Sequence, residues 1–232
     1  MIELREQKKN DLQNRKKALI ICNGEYPPDY LLLRLWGETD FKVAADGGAN
    51  RLIKLDLIPD AVVGDFDSIK QEIKNILPSS ILHKINEQNT NDADKAVRHC
   101  INEGFSEIDI IGADGYRQDQ FLSNLEIMLK YLPIARLVLW TKIERMEFVI
   151  DTWKEHLPKG TTISLLPLFG GAENVLTHGL KFNILNKSIL PGEPPSGVSN
   201  LVESSPVSIS VKNGQILIVV QISGNHSNKN NS

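Results

Sequence analysis

Only two cysteines, Cys22 and Cys100, occur in 232 residues, too few for a disulfide framework. Each sits in an apolar run and reads as a buried free thiol. No apolar run approaches the roughly 20 residues that span a bilayer. The opening segment, Met-Ile-Glu-Leu-Arg-Glu-Gln-Lys-Lys, is charged and lacks an apolar signal core. A formal net charge of −3 gives no electrostatic reason to expect nucleic acid as a partner. There is no Gly-x-x-x-x-Gly-Lys-Ser/Thr, so any nucleotide site is not a P-loop. There is no Gly-x-Ser-x-Gly elbow, and the five histidines show no metal-ligand spacing. These absences lead to the expectation of a cytoplasmic protein with no membrane and no nucleic-acid partner.

What is present is enough apolar residue, 41% of the chain, to bury a sizeable core, and a pattern that changes near the middle. From residue 17 to about 141, strand-like runs alternate with helical periods. Ala18–Cys22, Phe41–Ala45, Ala61–Val63, Ile81–Leu82, Ile108–Ile111 and Leu137–Trp140 are the candidate strands. Ala93, Ala96, Val97, Cys100 and Ile101 share one helix face, as do Phe121, Leu122, Leu125, Met128, Leu129 and Leu132. This alternation predicts a parallel sheet with crossover helices. From about residue 160 the pattern becomes all-β. Thr161–Leu168 and Val207–Val211 read as strands, and Lys212–Gln215 as a hairpin turn returning into Ile216–Ile222. The expected fold is α/β: an N-terminal parallel-sheet, Rossmann-like domain over residues 1–145, then a C-terminal all-β sandwich over 146–232. Within the latter, 223–232 is expected to be a polar tail without fixed structure.

Four short segments carry acids where such a sheet exposes its strand ends: Ala45–Asn50 (ADGGAN), Gly64–Ser68 (GDFDS), Gln88–Asp92 (QNTND) and Asp114–Gln120 (DGYRQDQ). Ligands of open parallel sheets bind beyond the C-terminal strand ends. Asp46 and the pair Asp65 and Asp67 directly follow strand candidates, and Asp92 opens a helix behind Asn91 as its cap. Asp65 and Asp67 are expected on one strand-end face, because alternate residues point the same way. Carboxylates so close repel unless a cation neutralises them. Mg²⁺, which takes a few carboxylates and leaves room for substrate phosphates, is the natural choice.

In their order, Ala-Asp-Gly-Gly-Ala-Asn-Arg-Leu, Pro-Asp-Ala-Val-Val-Gly-Asp-Phe-Asp-Ser-Ile, Gln-x-x-x-Asp and Gly-x-x-Gly-x-Arg-x-Asp-Gln, these segments resemble the thiamine pyrophosphokinase family. The resemblance runs from about Leu19 to Val220, and Gly179–Phe182 and Gly197–Asn200 look like that family's thiamine-side segments. The family's Thr is Asn91 here, and its aromatic between Arg and Asp is Gln118. The resemblance implies transfer of the β,γ-diphosphate of ATP to the hydroxyl of thiamine, releasing AMP. It implies that Asp46, Asp65, Asp67 and Asp92 hold Mg²⁺, and that Asp65 or Asp92 accepts the hydroxyl proton. Gly47, Gly48 and Arg117 would contact ATP. Gln88, Asp119, Gln120, Ser199 and Asn200 would contact thiamine, in a homodimer completed by the sandwich. Two other classes remain open at this point. Asp65-Phe-Asp67 also resembles the Asp-x-Asp core of haloacid-dehalogenase-type phosphatases, although that motif ends a first strand and here follows at least two. A non-catalytic module sensing thiamine diphosphate or a nucleotide is the other, although it has no need of four acidic loops.

Overall fold

Residues 16–115, 117–194 and 197–222 are described by the structure, a computed structural model. The segment 223–232, expected to lack fixed structure, lies outside them. The chain divides between Lys142 and Ile143 into two compact units.

The first unit is built on six strands: β1 (Lys17–Ile21), β2 (Phe41–Ala45), β3 (Ala61–Gly64), β4 (Leu82–Lys84), β5 (Glu107–Ile111) and β6 (Arg136–Trp140). They lie in the order β6-β5-β1-β2-β3-β4, every neighbouring pair parallel. Continuous apolar runs form these strands because both faces of a parallel sheet are covered. Ala18 to Ile21 have no exposed surface at all, and burying each such Leu or Ile contributes roughly 1.5–3 kcal/mol over leaving it in water. Asp109 interrupts the apolar run of β5. It is buried, and its carboxylate meets the Lys17 ammonium at 2.5 Å and the Trp140 indole N–H at 2.9 Å. Burial pushes the Asp109 carboxyl up, and Lys17 opposes the shift.

Crossovers are supplied by α1 (Asp29–Gly37), α2 (Ala49–Ile53), α3 (Gln71–Ile76), α4 (Asp92–Asn102) and α5 (Gln118–Tyr131). Asn91 caps α4, its side-chain oxygen accepting the Asp94 backbone N–H at 2.9 Å. The buried face of α4 holds Ala93, Ala96, Val97 and Cys100. On α5 the buried residues are Asn124, Leu125, Ile127, Met128 and Tyr131, whereas Leu122, expected inward, is 55% exposed. The helix is rotated so that the polar Asn124 takes an interior position. The strand order places the reversal of winding between β1 and β5, because β2 follows β1 on one side while β5 returns to the other. The loops leaving these two strands are stitched together, with Cys22 N–H donating to Ile111 O at 2.9 Å, Gly24 N–H to Gly112 O at 2.7 Å and Glu25 N–H to Asp114 O at 2.9 Å.

The second unit is two antiparallel layers. One runs β12 (Gly197–Leu201), β9 (Thr162–Leu166), β15 (Ile216–Gln221), β7 (Glu144–Val149); the other runs β11 (Leu185–Ile189), β10 (Ala172–His178), β13 (Val207–Ser210), β8 (Thr152–Glu155). Their inward residues, among them Val149, Trp153, Ile163, Leu165, Val175, Ile209, Ile216 and Ile218, form one core. Strands begin at Glu144, earlier than the reading from residue 160. The sequence of β7 hides them, because it buries Arg145 and Glu147, which pair at 3.1 Å while Glu147 also accepts the Trp153 indole N–H at 3.1 Å.

The expected hairpin at Lys212–Gln215 is corrected by the register. β13 pairs with β10 and β8, whereas β15 pairs with β7 and β9, so the two flanking strands lie in different layers. Asn213 and Gly214, the short strand β14, instead pair with Glu173 and Ala172 at the edge of β10. The Asn-Gly turn carries the chain from one layer to the other.

Candidate active site

The four acidic segments all leave the same, C-terminal edge of the parallel sheet. Asp46 follows β2 directly and opens a short 3₁₀ turn through Gly48. Its φ of 42° is left-handed, sparsely populated by residues other than glycine, asparagine and aspartate. The turn packs tightly on the end of β1, since a Cβ on Gly48 would lie 2.0 Å from the Ile21 carbonyl oxygen. A Cβ on Gly64, the last residue of β3, would lie 2.8 Å from Asp46 Cβ. Gly48 thus lets the turn after β2 close onto β1, and Gly64 lets the β3 rim close onto Asp46.

A turn, not strand alternation, brings Asp65 and Asp67 together. β3 ends at Gly64, and Phe66 adopts a left-handed φ of 69°. Asp67 N–H then donates to Asp65 Oδ1 at 3.2 Å, closing a local Asx-type loop. The outcome is a triplet: carboxylate oxygens of Asp46, Asp65 and Asp67 lie within 4.8 Å of one another.

Each member is held differently. Asp46 is 2% exposed; Oδ2 accepts the Ser68 N–H at 3.1 Å, while Oδ1 is buried with no hydrogen-bond partner. Burial, with the nearby Asp67 and Asp92 adding to it, pushes its carboxyl up to about 6 against the opposing Ser68 N–H. Asp65 Oδ2 accepts the Gln88 amide at 3.1 Å, and this bond, helped by the Asp67 N–H, holds Asp65 below the usual carboxylate range. Asp67 accepts the Ser68 hydroxyl at 2.8 Å. Asp92, at the start of α4, stands outside the triplet but close enough that its charge raises Asp46 and adds to the burial that pushes the Cys22 thiol up to about 12. The three clustered carboxylates, with one unpartnered buried oxygen, fit a hard oxygen-seeking cation such as Mg²⁺.

Lys95 escaped the sequence reading. Its side chain is 3% exposed and its ammonium meets Asp92 at 3.0 Å; its charge also lowers Asp65. The available signal was a lysine breaking the apolar face of α4, three residues after an acid. Arg117 and Asp119 are exposed and paired with each other at 2.6 Å. Such an exposed pair contributes little to stability, so either partner exchanges readily for a ligand. Gln120 is exposed in the first turn of α5.

In the second unit, Ser199 is exposed with a left-handed φ of 56°, and its N–H donates to Ser164 Oγ at 3.0 Å. Asn200 is 5% exposed and its amide holds three backbone bonds: Oδ1 accepts Phe182 N–H at 3.1 Å and Leu201 N–H at 2.9 Å, and Nδ2 donates to Phe182 O at 2.7 Å. It pins the 180–183 turn to β12. An open cavity of about 250 Å³ beside it is lined in part by Phe182, Leu185, Lys187 and Val198.

Known proteins share both units. Residues 32–138 match the family model for the thiamin pyrophosphokinase catalytic domain, and residues 147–216 that for the thiamin pyrophosphokinase vitamin B1 binding domain. Thiamine pyrophosphokinase 2 of Arabidopsis thaliana is 27% identical over 221 residues, spanning 83% of this chain and 81% of that protein. Thiamine pyrophosphokinase 1 of rice, Oryza sativa subsp. japonica, is 28% identical over 222 residues, 83% of each chain. The crystal structure of thiamine pyrophosphokinase from Bacillus subtilis superposes with a TM-score of 0.78 at 22% identity, covering 90% of this chain and all of that one. The Candida albicans enzyme gives 0.74 at 23% identity, with 90% of each chain covered. Together these matches define a transferase of the kinase type. The two family models jointly take in most of the sequence, and the chain belongs to the thiamin pyrophosphokinase family.

Proposed function

We propose that the chain transfers the β,γ-diphosphate of ATP to the hydroxyl of thiamine, giving thiamine diphosphate and AMP, in a Mg²⁺-dependent reaction carried out by a cytoplasmic homodimer. The observation that carries the Mg²⁺ dependence is the Asp46–Asp65–Asp67 triplet with its unpartnered buried oxygen. Among the described residues no helix is long and apolar enough to cross a membrane. In this reading residues 1–145 form the catalytic, nucleotide-binding domain and residues 146–232 the thiamine-binding and dimerisation domain.

Diphosphate transfer needs alignment and charge neutralisation more than covalent chemistry. Mg²⁺, when bound, neutralises the phosphate oxygens of the transferred group. Asp46, Asp65, Asp67 and Asp92 are the residues that hold it. Gln88 fixes the Asp65 carboxylate through its amide at 3.1 Å, and Lys95 fixes Asp92 at 3.0 Å, so both carboxylates enter the reaction already oriented. Arg117 leaves its surface partner Asp119 to place its planar fork on phosphate oxygens. Gly47 and Gly48, in the turn after β2, admit the nucleotide close to the backbone. The hydroxyl proton of thiamine passes to Asp65 or Asp92. Gln88, Asp119, Gln120 and Ser199 provide polar contacts to thiamine, and Asn200 shapes its wall through the Phe182 turn.

The purified chain, given ATP, thiamine and Mg²⁺, is expected to form AMP and thiamine diphosphate in equal amounts, with EDTA stopping both. Formation of ADP and thiamine monophosphate would overturn pyrophosphoryl transfer, and release of inorganic phosphate alone would return the Asp-x-Asp phosphatase reading.

A further inference from the structure

Asn124 is the polar residue that turned Leu122 out of the core. It lies on α5 with 8% of its surface exposed, and its Nδ2 donates to the Ala113 carbonyl at 2.7 Å. Ala113 belongs to the segment after β5 that leads to Arg117. On its other side, Asn124 Oδ1 accepts the Asn91 amide at 3.3 Å. Asn91 is the cap of α4, and the next residue is Asp92. Two side chains therefore link the backbone of the Arg117 segment to the helix start that carries Asp92.

Backbone groups fix the polarity of this chain of bonds at both ends. Asn91 Oδ1 is held by the Asp94 N–H at 2.9 Å, so its NH₂ must face Asn124. Asn124 must present its NH₂ to the Ala113 carbonyl, so its oxygen must face Asn91. Neither amide can turn over without placing like atoms together. A capping Ser, Thr or Asp would satisfy the Asp94 N–H equally well, but none of them supplies a second, separately directed NH₂. Likewise an apolar residue at 124 would fit the interior better, yet would leave the Ala113 carbonyl unpaired.

We propose that Asn91 and Asn124 are positioning residues that hold the carboxylate side and the Arg117 side of the nucleotide site in one register. They touch neither phosphate nor cation. They act by keeping the start of α4 and the segment after β5 at a fixed separation, so that a polyphosphate spanning Asp92 and Arg117 meets both. The assignment rests on the proposed roles of Asp92 and Arg117 toward ATP.

Equilibrium dialysis of ATP in the presence of Mg²⁺ tests it without turnover, on the full chain. Asn91→Ser keeps the cap and removes the NH₂; Asn124→Ala removes the centre of the relay. Each is expected to weaken the ATP Kd by roughly three- to tenfold, the worth of one hydrogen bond. The double variant is expected to be no weaker than the worse single one, because both changes break the same link. A lowered melting temperature with the ATP Kd within twofold of the unsubstituted chain would reduce the pair to a structural role and overturn the proposal, as would multiplicative effects in the double variant. Product analysis judges the proposed function separately: AMP formation by the unsubstituted chain sustains that reading whatever the relay variants do.

Discussion

Asp46 and Asn200 are almost equally buried, at 2% and 5% exposed, yet one has a carboxylate oxygen without a partner and the other holds three backbone bonds. Asp46 keeps a carboxylate oxygen in the interior without a partner, beside two more carboxylates. Asn200 directs both ends of its amide to the Phe182 turn and accepts the Leu201 N–H as well. An unsatisfied buried polar group costs about 1–3 kcal/mol, and a folded chain tolerates that cost where a ligand relieves it. The first unit therefore holds unrelieved electrostatic strain where its sheet ends. At Asn200 the second unit instead spends a buried polar side chain on its own backbone.

The largest effect that sharpens this contrast is expected from Asp65→Asn. It keeps size and the contact with Gln88 while removing one charge from the triplet, and is expected to lower kcat by about 10²–10³-fold, as loss of a preorganised electrostatic group does. Asp60→Asn is the comparison: Asp60 is an exposed turn residue whose Oδ2 accepts the Lys42 N–H at 2.8 Å, and turnover is expected to stay near normal. Equal turnover by both variants in a steady-state assay would remove Asp65 from the site.

Next in size is Asn200→Ala. Three backbone bonds are lost from a buried position, which amounts to about 2–4 kcal/mol of unfolding free energy. Denaturant unfolding followed by tryptophan fluorescence measures it. A variant as stable as the parent, but with a raised thiamine KM, would break the comparison by showing that Asn200 serves the ligand and not the turn.

The smallest effect concerns pH. Asp46 has a folded pKa of about 6, raised by burial above the ordinary 3.8. The folded state thus holds this proton more tightly than the unfolded chain. The stability this provides is complete below about pH 4 and is lost as pH rises through about 6. Asp65, held low by Gln88, contributes in the opposite direction, with stability lost only as pH falls below the ordinary carboxylate range. In EDTA, Asp46→Asn is therefore expected to gain in melting temperature over the parent as pH rises from 4 to 7. A constant difference across that range would mean that Asp46 is not the strained group.

The parallel sheet was legible because buried strands such as β1 and β3 are written as unbroken apolar runs, β3 ending in glycine with aspartate directly after it. Asp46, Asp65 and Asp67 were legible for the same reason, as acids at strand ends. The mechanism that unites Asp65 and Asp67 was not: a left-handed Phe66 replaces the strand alternation, and nothing in an isolated phenylalanine announces a positive φ. Lys95 and Asn124 were missed because helix periodicity counts apolar residues, and both are polar residues on buried faces; Lys95 answers Asp92 one turn away, whereas the partners of Asn124, Asn91 and Ala113, lie outside its helix. β7 was hidden similarly, since Arg145 and Glu147 cancel each other only once Trp153 is folded against them. The Asn213–Gly214 turn was read locally as a hairpin, but the choice between returning to the same layer and crossing to the other is made by β7 and β9, some 50–70 residues earlier.

That crossing has a consequence for the order in which the second unit is assembled. β15 lies between β9 and β7, so the last of the described strands in chain order fills the middle of its layer, not its rim. Until it arrives, the two flanking strands have no common partner and present open edges, the template on which chains pair with one another. Closing the layer joins Gln221 to Glu144 across more than half of the unit's sequence, a long-range contact of the kind that slows folding. The sandwich layer therefore stays open along two strand edges until β15 is available to fill it.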